Sequence, residues 1–157
     1  MKTLRMSFFV ACTLGACVLY AKAPSYEEFT PGATRTQVLD TIKRKYTRFP
    51  VEERVDQRYG IPALVVTMFR QDKRYEVVLE FNYREILHHI QVNIHGMNGD
   101  EYDRMLADLK VKYGNPDDER VIEKPALTWN FERKKYTLEV YFWGDHAQMD
   151  YSFFPSR

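Results

Sequence analysis

Hydrophobic positions change period along the chain, and the changes outline its elements. Val38, Leu39, Ile42 and Tyr46 recur at helical spacing, and Thr34 with Gln37 has capping-box spacing, which predicts a helix opening at Thr34. From Tyr75 the period drops to two. Tyr75, Val77, Leu79, Phe81 and Tyr83 alternate with Glu76, Val78, Glu80 and Asn82, while Ile90, Val92 and Ile94 alternate with His89, Gln91, Asn93 and His95. This pattern predicts a hairpin with one buried face. A second helix is marked by Tyr102, Met105, Leu106, Leu109 and Tyr113, with Asn98 and Glu101 placed to cap it and Gly114 and Pro116 to end it. Leu127, Trp129 and Phe131, then Tyr136, Leu138, Val140 and Phe142, then Ala147, Met149, Tyr151 and Phe153 predict further strands, the last two joined at Gly144-Asp145. Glu53 to Gln57 and Glu119 to Glu123 are too short for periodicity to separate strand from helix.

These successions share residues in order. Val38 to Tyr46 aligns with Met105 to Tyr113, Pro50 to Val55 with Pro116 to Val121, Pro62-Ala63-Leu64 with Pro125-Ala126-Leu127, Phe69 with Phe131, and Tyr75 to Phe81 with Tyr136 to Phe142. The expected fold is therefore α+β: two tandem helix-plus-antiparallel-sheet repeats of three to four strands each, residues 24–97 and 98–157, with the helices on one face of the sheet.

The first 23 residues read as an export signal. Lys2 and Arg5 precede an uncharged run from Met6 to Tyr20, and Ala21-Lys22-Ala23 has the small-x-small cleavage pattern. The run is shorter than the roughly 18 residues a membrane span requires. Pro24 would follow a cut at Ala23, so a cut after Ala21 is an alternative. Leu14-Gly15-Ala16-Cys17 offers a third outcome, a lipobox with Cys17 lipidated. Cys12 and Cys17 are the chain's two cysteines, so the expected mature part holds no disulfide and relies on burial.

Composition supplies the means, with 45% hydrophobic and 15% aromatic residues. Charge narrows the function. Of 23 basic residues the signal removes Lys2, Arg5 and Lys22, which leaves 20 against 22 acidic, a balance that argues against nucleic acid as partner. There is no phosphate-binding glycine loop, helical zinc motif or nucleophile elbow, and no cofactor is expected. His89 and His95 fall on one face of one strand but about 20 Å apart, too far to share an ion, and His88 should turn toward the core. Only His146 could join either of them in a metal site. The acidic runs Glu52-Glu53 and Asp117-Asp118-Glu119 stand at equivalent places, which suits a solvated turn or strand start better than a catalytic pair.

The sheet face opposite the helices is the richer candidate. Its expected outward residues are Val66, Met68, Val78, Tyr141 and Trp143, mixed with Glu80, His89, Gln91, His95, Glu139 and Gln148, and aromatic rings among polar groups are what binding surfaces use.

Thr30-Pro31-Gly32-Ala33-Thr34-Arg35-Thr36-Gln37-Val38 resembles the glycine-small-Thr-x-x-x-Val helix opening of the small outer-membrane assembly lipoproteins of the SmpA/BamE type. The tandem layout is similar to the β-lactamase-inhibitor-protein architecture, whose concave sheet face grips a protein. The chain departs from the lipoprotein pattern after its first helix, where Tyr46-Thr47-Arg48-Phe49-Pro50 replaces the usual Gly-x-Pro that Gly114-Asn115-Pro116 retains. No family binding residue carries over. The resemblance implies an exported, non-enzymatic envelope protein that binds a protein or peptide partner through its open sheet face. Its alternatives are a lipid-anchored component of an outer-membrane assembly machine, touching the membrane only through Cys17, and a metal-binding protein or enzyme.

Overall fold

The computed structural model describes residues 24–55, 60–121, 124–132 and 135–154; the first 23 residues, with both cysteines, lie outside them. The elements run α1 (Arg35–Lys45), β1 (Val51–Val55), β2 (Pro62–Arg70), β3 (Lys73–Phe81), β4 (Leu87–His95), α2 (Gly99–Tyr113), β5 (Asp118–Val121), β6 (Pro125–Phe131), β7 (Tyr136–Trp143) and β8 (His146–Phe153).

The helices start where the capping residues predict. Thr34 Oγ1 accepts the Gln37 N–H at 3.3 Å while the Thr34 N–H donates to Gln37 Oε1 at 2.9 Å. Asn98 and Glu101 repeat the exchange at 3.0 Å in both directions, so orphan donors of both first turns are satisfied. Of the short segments that periodicity left open, 53–55 lie in β1 and 119–121 in β5; their remaining residues lie outside the described ones.

All strands are antiparallel and belong to one eight-stranded sheet in the order β1-β2-β3-β4-β8-β7-β6-β5. This corrects the expected α+β fold of two tandem helix-plus-antiparallel-sheet repeats of three to four strands each. The fold is mostly β, 51% strand against 21% helix among the described residues. The cause is the seam between β4 and β8, paired from His89↔Ser152 to His95↔His146. Each strand carries an apolar row, Ile90, Val92 and Ile94 on one and Ala147, Met149 and Tyr151 on the other, and the register sets these rows opposite one another. Two separate sheets would leave both ladders with an open apolar edge; pairing removes it.

One sheet means one wide apolar face. Leu64, Val66 and Met68 of β2, Val77 and Leu79 of β3, and Leu127 and Trp129 of β6 join the β4 and β8 rows in a single core, closed by Val38 and Ile42 from α1 and Tyr102, Leu106 and Leu109 from α2. Eight strands about 4.8 Å apart span roughly 34 Å, more than two helices about 10 Å thick can cover. The segment 24–34 supplies the remainder as a strap. Phe29, 1% exposed, stacks on Tyr46 with ring centroids 5.2 Å apart, and Tyr26 reaches within 6.3 Å of the Tyr151 ring. The strap is tied down by the Gly32 N–H donating to the Leu87 carbonyl at 2.7 Å and the Leu87 N–H donating to Ala33 at 2.8 Å. Gly32 has φ +97°, a conformation that a side chain would strain. Glu27 accepts hydrogen bonds from the Tyr46 hydroxyl and from Arg70, which fixes the strap's other end.

Two features of the sheet differ from the alternation. Tyr83, expected in the inward row, is 87% exposed because β3 ends at Phe81. There the ladder shifts register between Glu80↔His89 and Phe81↔Leu87, so the irregularity falls at His88, which is half-buried rather than inside the core.

If the strap is part of the core, Phe29→Ala should cost about 3–5 kcal/mol, the range for emptying a buried phenylalanine site. Urea denaturation at neutral pH measures it, and a loss below about 1 kcal/mol would show that the helices cover the sheet without the strap.

Candidate functional site

The face away from the helices is built by the residues that alternate with the core rows. Register gives its layout directly, since residues opposite one another share a face. One row runs Ala63, Glu80, His89, Ser152 and Thr137; the second runs Val65, Val78, Gln91, Asp150 and Glu139; the third runs Thr67, Glu76, Asn93, Gln148 and Tyr141; the last runs Phe69, Arg74, His95, His146 and Trp143. The β4–β8 seam passes through all four.

On the middle strands, at one end of the face, His89 lies between two carboxylates. Its Nδ1 is 3.0 Å from Glu80 Oε2 and its Nε2 is 3.5 Å from Asp150 Oδ1. Gln148 Nε2 donates to both Asp150 oxygens, at 2.9 and 2.7 Å, and so orients that carboxylate. Burial alone would pull the imidazole pKa down, but the bonds to Asp150 and Glu80 and the charges of both outweigh it and raise it to about 9. His89 is thus an imidazolium at neutral pH. It cannot serve there as a general base.

Along the last row the side chains form a stack. Arg74 Nη2 lies 3.1 Å from His95 Nε2. The His95 and His146 rings stack with centroids 5.6 Å apart and planes 26° apart; His146 and Trp143 follow at 5.4 Å and 36°. Trp143 in turn stacks on Tyr141, its neighbour two residues back on β7, at 5.4 Å and 15°. The Tyr141 hydroxyl donates to Glu139 Oε2 at 2.6 Å; burial, then this bond, push its pKa above the ordinary phenol value and keep it neutral. The rings therefore pack on one another, and Trp143 at the end of the row remains 48% exposed. At the other end of the row Phe69 is 68% exposed.

No family model, characterised protein or solved structure matches the chain. Its function must be argued from these contacts.

Of the residues singled out in the sequence, Tyr141, Trp143, His89, Gln91, His95 and Val78 share this outer face. Val66 and Met68 do not. Both are 0% exposed and face the helices, paired with Val77 and Tyr75. The run Leu64-Val65-Val66-Thr67-Met68 is apolar at both parities, so alternation within β2 cannot choose a face; the register to β3 does. The same ambiguity concealed Phe69. Aligned with Phe131 it looks like core, but Met68, four residues past Leu64 as Phe131 is past Leu127, takes the inward place and Phe69 points out. Arg74 and Asp150 were also missed, although each has the same parity as an outward residue of its strand, Glu76 and Gln148. Cys17 lies outside the described residues.

Among those residues no group of three or more His, Cys, Asp or Glu side chains is placed to hold a metal ion. On the helix side, a cleft of about 480 Å³ is lined by Lys73, Tyr75, Met97, Glu101 and Arg104. Its Lys73–Glu101 pair, at 2.7 Å, ties β3 to the first turn of α2, a structural task.

The His89 contacts predict a pH signature. Because its folded pKa is raised, the stabilisation is fully present below about pH 6.5, the unfolded value, and is lost as pH rises through about 9. His89→Gln should cost on the order of 2 kcal/mol at pH 6, with the two proteins converging above pH 9. Urea denaturation across that range reads it; a cost that stays constant to pH 10 would mean that His89 acts by packing, not charge.

Proposed function

We propose that the protein is a non-enzymatic binding module of the cell envelope that holds a protein or peptide partner on the outer face of its sheet. One observation carries the reading: the face opposite the helices presents an ordered row of rings and charged groups that ends in the exposed Trp143. Trp, Tyr and Arg dominate the energetics of protein interfaces, and Trp143 stands beside Tyr141 here, with Arg74 at the other end of the same stack, on a strand scaffold that already holds their rotamers. The polar groups beside them are hydrogen-bonded to one another, so a partner need not supply a bond to each group it covers. Acid–base catalysis is poorly served by the same face, because its His89 imidazole is held charged between two carboxylates.

Export rests on the basic start, uncharged run and Ala21-Lys22-Ala23 site of the first 23 residues. A second reading, a lipid-anchored part of an outer-membrane assembly machine, is favoured by one distance. Cys17 precedes the buried Pro24 by seven residues, a reach of at most roughly 25 Å, so a lipid on Cys17 would keep the folded body beside the bilayer.

The test is affinity capture from the native envelope with the wild-type chain and with Tyr141→Ala and Trp143→Ala. Truncating a hot-spot ring costs about 2 kcal/mol or more in binding, about thirtyfold. Capture should therefore fall at least tenfold with each variant, while the unfolding midpoint moves by only a few degrees. Undiminished capture would refute the face as the binding surface, and a variant that unfolds would show these rings to be core.

A further inference from the structure

His89 and His95 stand on the same face of the same strand, yet their neighbours treat them in opposite ways. An arginine guanidinium has hydrogens only to give, so the 3.1 Å separation between Arg74 Nη2 and His95 Nε2 requires that Nε2 accept. The ring proton must then sit on Nδ1, and the imidazole is neutral. The groups that face it are Arg74 and Glu76 from β3, His146 from β8 and Asp145 from the β7–β8 turn. Glu76 is engaged by Arg54 at 3.6 Å, and the 93% exposed Asp145 lies 3.5 Å from His146 instead. Among the described residues no carboxylate stands at ion-pair distance from His95 to welcome a second proton.

We propose that His95 is a protonation switch in the outer face. A proton taken from solvent at Nε2 converts the acceptor into a donor that confronts the Arg74 donors and places a second cation beside that guanidinium. The hydrogen bond is lost, and like charge drives the ring out of its stack between Arg74 and His146. The row is closed at neutral pH and open in acid. His146 keeps its place against Trp143, with ring centroids 5.4 Å apart, so the break falls at the β4 position. Burial first, then Arg74 and His146, hold the His95 pKa below the ordinary histidine value, which keeps the closed form populated at neutral pH. The folded chain binds this proton less tightly than the unfolded chain. The closed row therefore contributes stability above the ordinary histidine pKa and loses it as pH falls through the folded value.

The switch regulates the binding face proposed above and rests on that reading for its purpose, but its test is made on the free protein. Long-range proton–nitrogen NMR of the ¹⁵N-labelled protein at neutral pH should find His95 neutral and protonated on Nδ1. On acidification the Trp143 indole resonance should titrate with a component that shares the His95 midpoint. In His95→Gln, whose amide oxygen accepts from Arg74 at any pH, that component should vanish. In Arg74→Gln the His95 midpoint should rise by about half a pH unit or more, because a neighbouring positive charge has been removed. An Nε2-protonated ring at neutral pH, or a Trp143 titration unchanged in His95→Gln, would overturn the proposal. If His95 titrates as stated while envelope capture is indifferent to Trp143, the switch stands and the binding reading fails.

Discussion

The pairing of β4 with β8 is the contact on which the rest of this structure depends. Without it, Ile90, Val92 and Ile94 on one side and Ala147, Met149 and Tyr151 on the other would each line the open edge of a small sheet, and each half would need its own cover. Joining them makes a continuous apolar surface, which is favourable because burial gains grow with area. It also sets a problem, since two helices are too narrow for the surface it creates. The strap that carries Tyr26 and Phe29 answers that problem, and the Glu27 contacts to Tyr46 and Arg70 show how firmly its end is fixed. The same seam creates the outer face. His95 meets His146 only because β4 and β8 are neighbours, so one set of backbone hydrogen bonds builds the core on one side and the row of rings on the other.

Electrostatics on that face is decided by what stands opposite each histidine. His89 is directly across from Glu80 and diagonal to Asp150, so a charged ring satisfies two carboxylates and the burial penalty is overcome. His95 is directly across from Arg74, so a charged ring would satisfy nothing and the burial penalty stands. The strand and the face are common to both; the cross-strand partner differs. This is the general logic of pKa perturbation, in which specific hydrogen bonds and nearby charges compete with desolvation. It gives the face fixed charge at its His89 end and, in the switch proposed above, pH-dependent charge at its His95 end.

How far these features could be read from the sequence follows from the range over which each is determined. Capping boxes at Thr34 and Asn98 were legible because a helix start is settled within four residues. The alternation in β3, β4, β7 and β8 was legible because polar and apolar residues exchange strictly there, and it placed Tyr141, Trp143, His89, Gln91, His95 and Val78 on their common face. β2 was not legible, because consecutive apolar residues erase the period; Val66 and Met68 were misplaced for that reason, and Phe69 was given no face at all. The seam was illegible for another reason. Local pattern shows that β4 and β8 each have an apolar face but not that the two lie edge to edge, and an alignment of the chain's two halves directs attention to pairing within each half. The strap, with its irregular backbone and isolated Tyr26 and Phe29, has no periodic signature at all.

An open sheet must also avoid pairing at its ends, and this bears on where a partner can sit. β1 and β5 are short and exposed throughout, with Val55 63% and Val121 70% accessible. Such edges invite an added strand. Both, however, carry adjacent acids, Glu52-Glu53 and Asp118-Glu119, and each folds an arginine back along its own strand: Arg54 to Glu52 at 2.9 Å and Arg120 to Asp118 at 3.0 Å. A second copy docking edge to edge in a register that sets these acids opposite one another would bring carboxylates against carboxylates, and like charges directly opposite one another destabilise a ladder. The acidic runs, which in the sequence resemble a duplicated catalytic pair, are better explained as protection of the two ends. With the helix side covered and the ends guarded by charge, the face of rings and histidines is the surface on which a partner meets the fewest obstacles.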